Sequence, residues 1–284
     1  MDFSFLGEEI ANALKKVDFD KLTEIRIRRN FPVICKYSFE RHYLTNNGVD
    51  KSNKKTIIID DKRIDSIINL LTEHSIYAHN EKIKQGFLIS KDGIRVGVVG
   101  DCVYDGGKLI SIKNFSSLYI RIQHDIKDCS ESFFSEIFQK NNIKNTLIIS
   151  PPAFGKTTLL KDIALKLDNT NLFSILILDE RGEFSSVSGE NIDILRYTSK
   201  YHGFLVGLRS MSPNVIITDE ICGENDWKYL DSAKNSGVKI IASIHSDGFE
   251  SVKNKKEFID NIFDCYVVLD GGKTPGVVKD IIKV

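Results

Sequence analysis

What this sequence lacks narrows its reading first. Its 284 residues hold 39 acidic and 39 basic side chains, so there is no chain-wide basic field for nucleic acid, and only a local patch could serve one. The five cysteines, Cys35, Cys102, Cys129, Cys222 and Cys265, are scattered without a C-x-x-C pair. That argues against a disulfide framework and for reduced thiols in a cytosolic protein. The six histidines show no metal-ligand spacing. No run approaches the roughly 18 to 20 apolar residues that cross a bilayer, so no direct membrane span is expected and any membrane link goes through a partner. The start, Met1-Asp2-Phe3 with Glu8 and Glu9 soon after, lacks the basic and apolar segments of a secretory leader. What is present is a globular balance, 42% hydrophobic and 27% charged, in a length that fits one large domain or two modest ones.

The first half mixes helix and strand signals. Phe5, Ile10, Leu14 and Val17 fall on one face of an opening helix, and Ile64, Ile67, Ile68, Leu70 and Leu71 do the same within 61–77. Glu24-Ile25-Arg26-Ile27-Arg28 and Leu118-Tyr119-Ile120-Arg121-Ile122 alternate with period two, as half-buried strands do, and 32–35 reads as a further strand. Apolar runs at 86–90 and 94–99 flank Lys91-Asp92-Gly93 and predict a hairpin. A polar, acid-containing stretch at 125–130 marks the expected boundary between a smaller α+β domain, 1–125, and a second domain, 126–284. Beyond a helix at 131–140 the pattern changes. Continuous apolar strands at 146–149, 173–178, 215–218 and 238–243 are separated by helices, and the chain closes with a hairpin turned by 271–276. This predicts an α/β domain whose mainly parallel sheet is covered on both faces.

Ser150-Pro151-Pro152-Ala153-Phe154-Gly155-Lys156-Thr157-Thr158 lies between the first of those strands and a helical run, Leu159 to Leu165. Strand, loop and helix in that order are the context that the phosphate-binding pattern G-x-x-x-x-G-K-[ST] requires. Backbone N–H groups at a helix start face the phosphates, and the helix dipole favours negative charge there. All nine residues are assigned to binding ATP with Mg²⁺, Lys156 reaching the β and γ phosphates and Thr157 offering its hydroxyl to the metal. Ser150 stands where the first glycine usually is. A negative φ accommodates it, so altered turn geometry is expected and not lost function.

Downstream, Asn214-Val215-Ile216-Ile217-Thr218-Asp219-Glu220 is an apolar strand ending in two acids. Asp219 is the candidate Mg²⁺ residue, acting through the metal's water shell. Glu220 faces the other side of the strand end and is the candidate base for the attacking water. The adjacent pair favours a hydrolytic ATPase over a nucleotide kinase. Asp179-Glu180-Arg181-Gly182-Glu183 follows another apolar strand, read as the extra strand between the P-loop strand and the Asp219 strand. There Glu180 or Asp179 could touch the water or metal shell and Arg181 a phosphate or a neighbouring subunit; an ordinary surface ion pair is the plain alternative. His245 follows the next strand, at the carboxyl edge that lines the ligand crevice. It could sense the γ-phosphate or the metal site, with a satisfied core or surface histidine as the alternative.

The run Leu208-Arg209-Ser210-Met211-Ser212-Pro213-Asn214 through Ile221, the P-loop continued by Leu159-Leu160-Lys161-Asp162, and Asp179 to Glu183 together resemble the stage III sporulation protein AA family. Glu24 to Arg28, Ser75-Ile76-Tyr77-Ala78, Gln85-Gly86-Phe87 and Gly93-Ile94-Arg95-Val96-Gly97 are similar to that family's N-terminal motifs, so the resemblance spans about residues 20 to 270. It implies a RecA-like P-loop ATPase domain related to the type II and type IV secretion ATPases, working as a homo-oligomeric hexameric ring with a mobile N-terminal domain. It also implies a place in the mother-cell cytoplasm of an endospore former. There the ring would dock on membrane proteins of the same operon and energise the channel joining mother cell to forespore. In a ring, a neighbour's arginine would stabilise charge on the leaving phosphate, and Arg209, Arg181, Arg95 and Arg121 are the candidates. Strand-edge salt bridging is the alternative for Arg95 and Arg121. Ala153, like Ser150, replaces a glycine expected in the loop, and Cys222 stands where secretion motors often carry an arginine.

Two functions from different classes follow. One is a ring ATPase that converts hydrolysis into movement of its N-terminal domain. The other is a nucleotide-gated scaffold that binds ATP to assemble partners and barely hydrolyses it. The zero net charge and the lack of a basic-aromatic run count against a nucleic-acid motor.

Overall fold

The computed structural model describes residues 2–37, 40–91, 93–122, 126–152, 154–256, 258–271 and 275–284. The chain forms two compact units, Met1–His124 and Asp125–Val284.

In the first unit seven strands make one antiparallel sheet in the order Gly48–Asp50, Glu40–Thr45, Ile34–Tyr37, Leu22–Arg28, Lys108–Arg121, Arg95–Asp105, Phe87–Ile89. Alternate residues of its central strands, among them Ile25, Ile27, Leu118, Ile120, Val96 and Val98, enter one core. Helices Glu8–Leu14 and Asp61–Leu71 complete that core with Ile10, Leu14, Ile64, Ile67 and Ile68, as the two periodicities require. Asp60 caps the second helix by accepting the Arg63 N–H at 2.9 Å. That helix stops at Leu71, short of the expected 77, because Glu73 and His74 turn to φ of 50° and 61°. The predicted hairpin forms between Phe87–Ile89 and Arg95–Gly97, with Asp92 of its turn outside the described residues. Its second strand runs on to Asp105 and returns through Gly106-Gly107 as Lys108–Arg121. Much of this extension is exposed, so it carries no alternating pattern to read.

The second unit runs β1 (Thr146–Ser150), α1 (Lys156–Asp168), β2 (Ile175–Asp179), β3 (Ile192–Arg196), α2 (Lys200–Val206), β4 (Val215–Thr218), α3 (Glu224–Asn235), β5 (Lys239–His245), β6 (Cys265–Leu269) and β7 (Val278–Lys283). The sheet order is β3-β2-β4-β5-β1-β6-β7, parallel except for the final β6–β7 pair. Each inner strand sends alternate residues to opposite layers. Ile148, Ile177, Ile217, Ile241 and Val267 meet Leu159, Leu160 and Ile163 of α1. Leu147, Leu176, Ile216, Ile240 and Val268 meet Phe204 of α2 and Trp227 and Leu230 of α3. Two covered faces are why these strands read as continuous apolar runs. This is the α/β class with a mainly parallel sheet, here in a unit following one of α+β type.

Three departures from expectation have physical causes. The edge strand β3 was not foreseen, because its residues are only half-buried and lack an apolar run. The helix from Glu131 ends at Ile137, since Lys140 and Asn141 take φ of 51° and 59° and 138–139 turns back to pair with 142–143. Most relevant to the site, β5 and not β2 lies between the P-loop strand and the Asp219 strand. The strand after Asp179 was expected there; it sits on the far side of β4 instead.

Candidate active site

Sheet order brings the loop, the acids and the histidine to one edge. β1 ends at Ser150, which pairs in register with His245 at the end of β5. Ser150 is a buried strand residue without positive φ, as its accommodation requires. Gly155 sits at φ 87° and ψ 10° immediately before α1, a conformation that favours glycine. A side chain there would also lie 3.3 Å from the Gly276 nitrogen. The Gly276 N–H donates to the Phe154 carbonyl at 3.0 Å, so the turn entering β7 braces the loop. Pro151, Pro152 and Phe154 fill the loop, Thr158 lies in the first turn of α1, and Ala153 is outside the described residues.

The Lys156 side chain folds back along its own loop and is 6% exposed. Its ammonium donates to the Ser150 carbonyl at 3.1 Å, the Ser150 hydroxyl at 3.2 Å and the Pro151 carbonyl at 3.0 Å, and lies 2.7 Å from His245 Nδ1. Burial lowers its pKa to about 8, a shift that the carboxylates of Glu220 and Glu183 oppose. An ammonium donating to Nδ1 assigns the imidazole proton to Nε2. That nitrogen faces Glu220 Oε1 at 3.6 Å.

Asp219 is 4% exposed at the end of β4, and burial pushes its pKa up to about 7. Among the described residues none donates a hydrogen bond to its carboxylate. Glu220 follows at φ 28°, in the region that glutamate rarely adopts. Ser243 of β5 holds that backbone. Its hydroxyl accepts the Glu220 N–H at 3.1 Å and its carbonyl accepts the Ile221 N–H at 2.7 Å. The Glu220 carboxylate then meets Arg181 at 2.5 Å through its other oxygen, and Cys222 Sγ at 3.7 Å.

The turn after β2 distributes its acids differently from expectation. Asp179 is buried and works on the backbone, accepting the N–H groups of Glu183 at 2.9 Å and Phe184 at 3.0 Å. Burial raises its pKa against those hydrogen bonds. Glu180, assigned above to the water or metal shell, turns instead to α2. It accepts the Lys200 N–H at 3.0 Å and pairs with the Lys200 ammonium, where a negative charge suits the helix start. The acid that reaches the loop is Glu183, whose carboxylate accepts the Thr157 hydroxyl at 3.0 Å. Sequence reasoning missed it, along with Lys200 and Ser243. A signal was available: Asp179 at the strand end is spent capping a glycine-containing turn, which leaves the acid four residues on to face outward. Arg181 joins the site through Glu220. Arg209 is exposed in the π-helical turn Gly207–Met211. Arg95 and Arg121 are exposed in the first unit, Arg95 stacked 3.9 Å over the Phe87 ring.

These residues suit a nucleoside triphosphate and Mg²⁺. A 13-residue helix begins at Lys156 behind a left-handed glycine, so its first-turn N–H groups face the loop mouth. Thr157 and Asp219 offer oxygen, the ligand type that Mg²⁺ takes. Among the described residues no cluster of three or more His, Cys, Asp or Glu could hold a metal ion alone. A Mg²⁺ that keeps waters and takes phosphate oxygens needs no such cage.

A sequence profile described as "Sporulation stage III, protein AA" matches residues 5–284. This chain belongs to that family. The stage III sporulation protein AA of Bacillus subtilis (strain 168) is 32% identical over 296 aligned residues, covering 97% of this chain and 92% of that relative. Among solved structures, the pilus retraction motor PilT with bound ADP aligns with a TM-score of 0.63 at 12% identity, over 91% of this chain and 76% of that one. The ATPase DotB of Legionella pneumophila aligns with a TM-score of 0.55 at 12% identity, over 87% and 72%. At such identity the likeness establishes fold: this family member shares the architecture of those two motors, the RecA-like fold expected of it. Among its described residues no helix is long and apolar enough to cross a membrane.

Proposed function

We propose that this chain is an ATPase of the secretion-motor type, hydrolysing ATP with Mg²⁺ to energise a mother cell–forespore channel complex during sporulation. The observation that supports it most is the linked set Lys156–His245–Glu220–Arg181, drawn from four separate segments onto one sheet edge, with contacts of 2.7, 3.6 and 2.5 Å. Lys156 swings from the Ser150 and Pro151 carbonyls to the β and γ phosphates, and the N–H groups of α1 hold the rest of the triphosphate. Thr157 and Asp219 hold the metal, which when bound supplies charge stabilisation at the phosphates. Glu220 takes the proton of the attacking water. His245 lies between the lysine and that carboxylate, placed to report the lysine's position to the base. Arg181, on Glu220 here, is the arginine nearest the chemistry; Arg209, Arg95 and Arg121 are left for contacts between subunits.

The relatives' names support the wider setting. The chain works as a homo-oligomeric, hexameric ring in the mother-cell cytoplasm, docked on membrane proteins of the same sporulation operon. Phosphate release from the purified chain, measured with and without assembly and beside sizing in ATP, tests this. Slow release that rises with assembly is expected. Bound ATP with no release from the assembled oligomer rejects the motor and favours a nucleotide-gated scaffold. One contact favours that second reading: Arg181 neutralises the very carboxylate that hydrolysis needs.

A further inference from the structure

Tyr197 lies just past β3 and is strained. Its φ is 58°, the left-handed region that an aromatic residue enters only when its surroundings impose it. What holds it there is the turn after β2. The Tyr197 N–H donates to the Asp179 carbonyl at 2.8 Å. Its ring covers Gly182 so closely that an added Cβ at Gly182, itself at φ 74°, would stand 2.7 Å from Tyr197 Cζ. The turn is therefore gripped twice. Asp179 holds the Glu183 and Phe184 N–H groups with its carboxylate, and Tyr197 lies across the backbone at Gly182.

The gripped segment has two working ends of opposite charge. Arg181 meets Glu220, the proposed base, at 2.5 Å. Glu183 accepts from Thr157, the proposed metal residue, at 3.0 Å. Only Gly182 separates them, so whatever fixes Gly182 fixes both contacts. We propose that Tyr197 is a positioning residue of this site, acting through Gly182 to hold Arg181 on the base side and Glu183 on the metal side. The inference rests on the ATPase reading for its consequence on turnover, but its structural content stands apart from it.

The test uses Tyr197→Ala in the full-length chain and in an Arg181→Gln/Glu183→Gln background. Tyr197→Gly is the second variant: it removes the same ring and relieves the left-handed backbone, so it keeps its fold where the alanine variant does not. Hydrogen exchange at the Glu183 and Phe184 amides should quicken about tenfold, with the amides of β1 and α1 unchanged. Hydrolysis at saturating Mg·ATP should fall about tenfold while KM stays within about threefold. In the Arg181→Gln/Glu183→Gln background the Tyr197 change should add nothing, because the residues through which it acts are already gone. Unchanged exchange at the two amides overturns the proposal, as does the same fold-loss of turnover in both backgrounds. A wild-type chain that neither binds nor hydrolyses ATP removes the ATPase reading alone, and the exchange result then decides the role of Tyr197.

Discussion

Replacing Lys156 with methionine should change how the stability of the second unit depends on pH. Methionine fills nearly the same volume and cannot titrate. Burial lowers the Lys156 pKa to about 8, against the ordinary 10.5. Between those values the unfolded chain carries a proton that the folded chain has lost, so stability contributed through this residue rises with pH across that window. Below pH 8 the folded ammonium bears its full desolvation cost; above 10.5 both states are neutral and the cost is gone. The gap between about 8 and 10.5 corresponds to about 3 kcal/mol. The assay is urea unfolding without nucleotide at pH 7, 8, 9 and 10, read by the fluorescence of Trp227. That residue is the chain's only tryptophan and is fully buried in the second unit. Stability of wild type relative to Lys156→Met should climb by about 2 to 3 kcal/mol from pH 7 to 10, less at the ends where titration is partial. The hydrogen bonds lost with the ammonium shift the whole difference but not its slope between pH 7 and 8. Parallel pH profiles would refute the reasoning, because they would mean that the ammonium is as well solvated folded as unfolded.

Glu220→Gln should keep ATP binding within about tenfold and lose about 10² to 10⁴ in phosphate release, the range that a general base contributes; wild-type turnover would remove the base assignment. Lys156→Ala should bind a fluorescent ATP analogue at least about tenfold more weakly, and affinity retained in that variant would place the phosphates elsewhere. Glu180→Gln should leave saturating turnover within about threefold while costing about 1 kcal/mol in urea unfolding, since its carboxylate serves Lys200 and the start of α2; a turnover loss like that of Glu220→Gln would return Glu180 to the reaction. Gly155→Ala should destabilise the second unit by about 1 kcal/mol or more, since alanine at φ 87° is strained and meets Gly276; an unchanged urea midpoint would contradict the loop geometry.

How much of this could be read beforehand differs between the loop and its surroundings. Gly155-Lys156-Thr157 was legible because strand, loop and helix each leave a local mark. Asp219 and Glu220 were legible because two acids end an apolar run. The choice between Glu180 and Glu183 was not, because it depends on which carboxylate the turn uses for its own N–H groups. Once Asp179 is committed to Glu183 and Phe184, the chain direction sends Glu180 to Lys200 and Glu183 to Thr157. His245 was found at the right edge for an incomplete reason. Only the sheet order, with β5 between β1 and β4, puts it against Lys156 and Glu220 at once. Strand order depends on contacts between distant segments, and no local pattern records it.

The costs at this edge bear on motor against scaffold. Lys156 is buried at a pKa of about 8, Asp219 is buried at about 7, and Glu220 is held at φ 28°. Each lowers stability at neutral pH, and a parallel sheet needs none of them to fold. A scaffold that only bound ATP would require the loop, the lysine and the metal oxygens. It would have no use for a strained glutamate whose backbone is tied to Ser243 and whose carboxylate is shared between His245 and Arg181. Strain kept at a residue that touches no other part of the binding loop is best explained by a task at that carboxylate, and in this geometry the task is to take a proton from water.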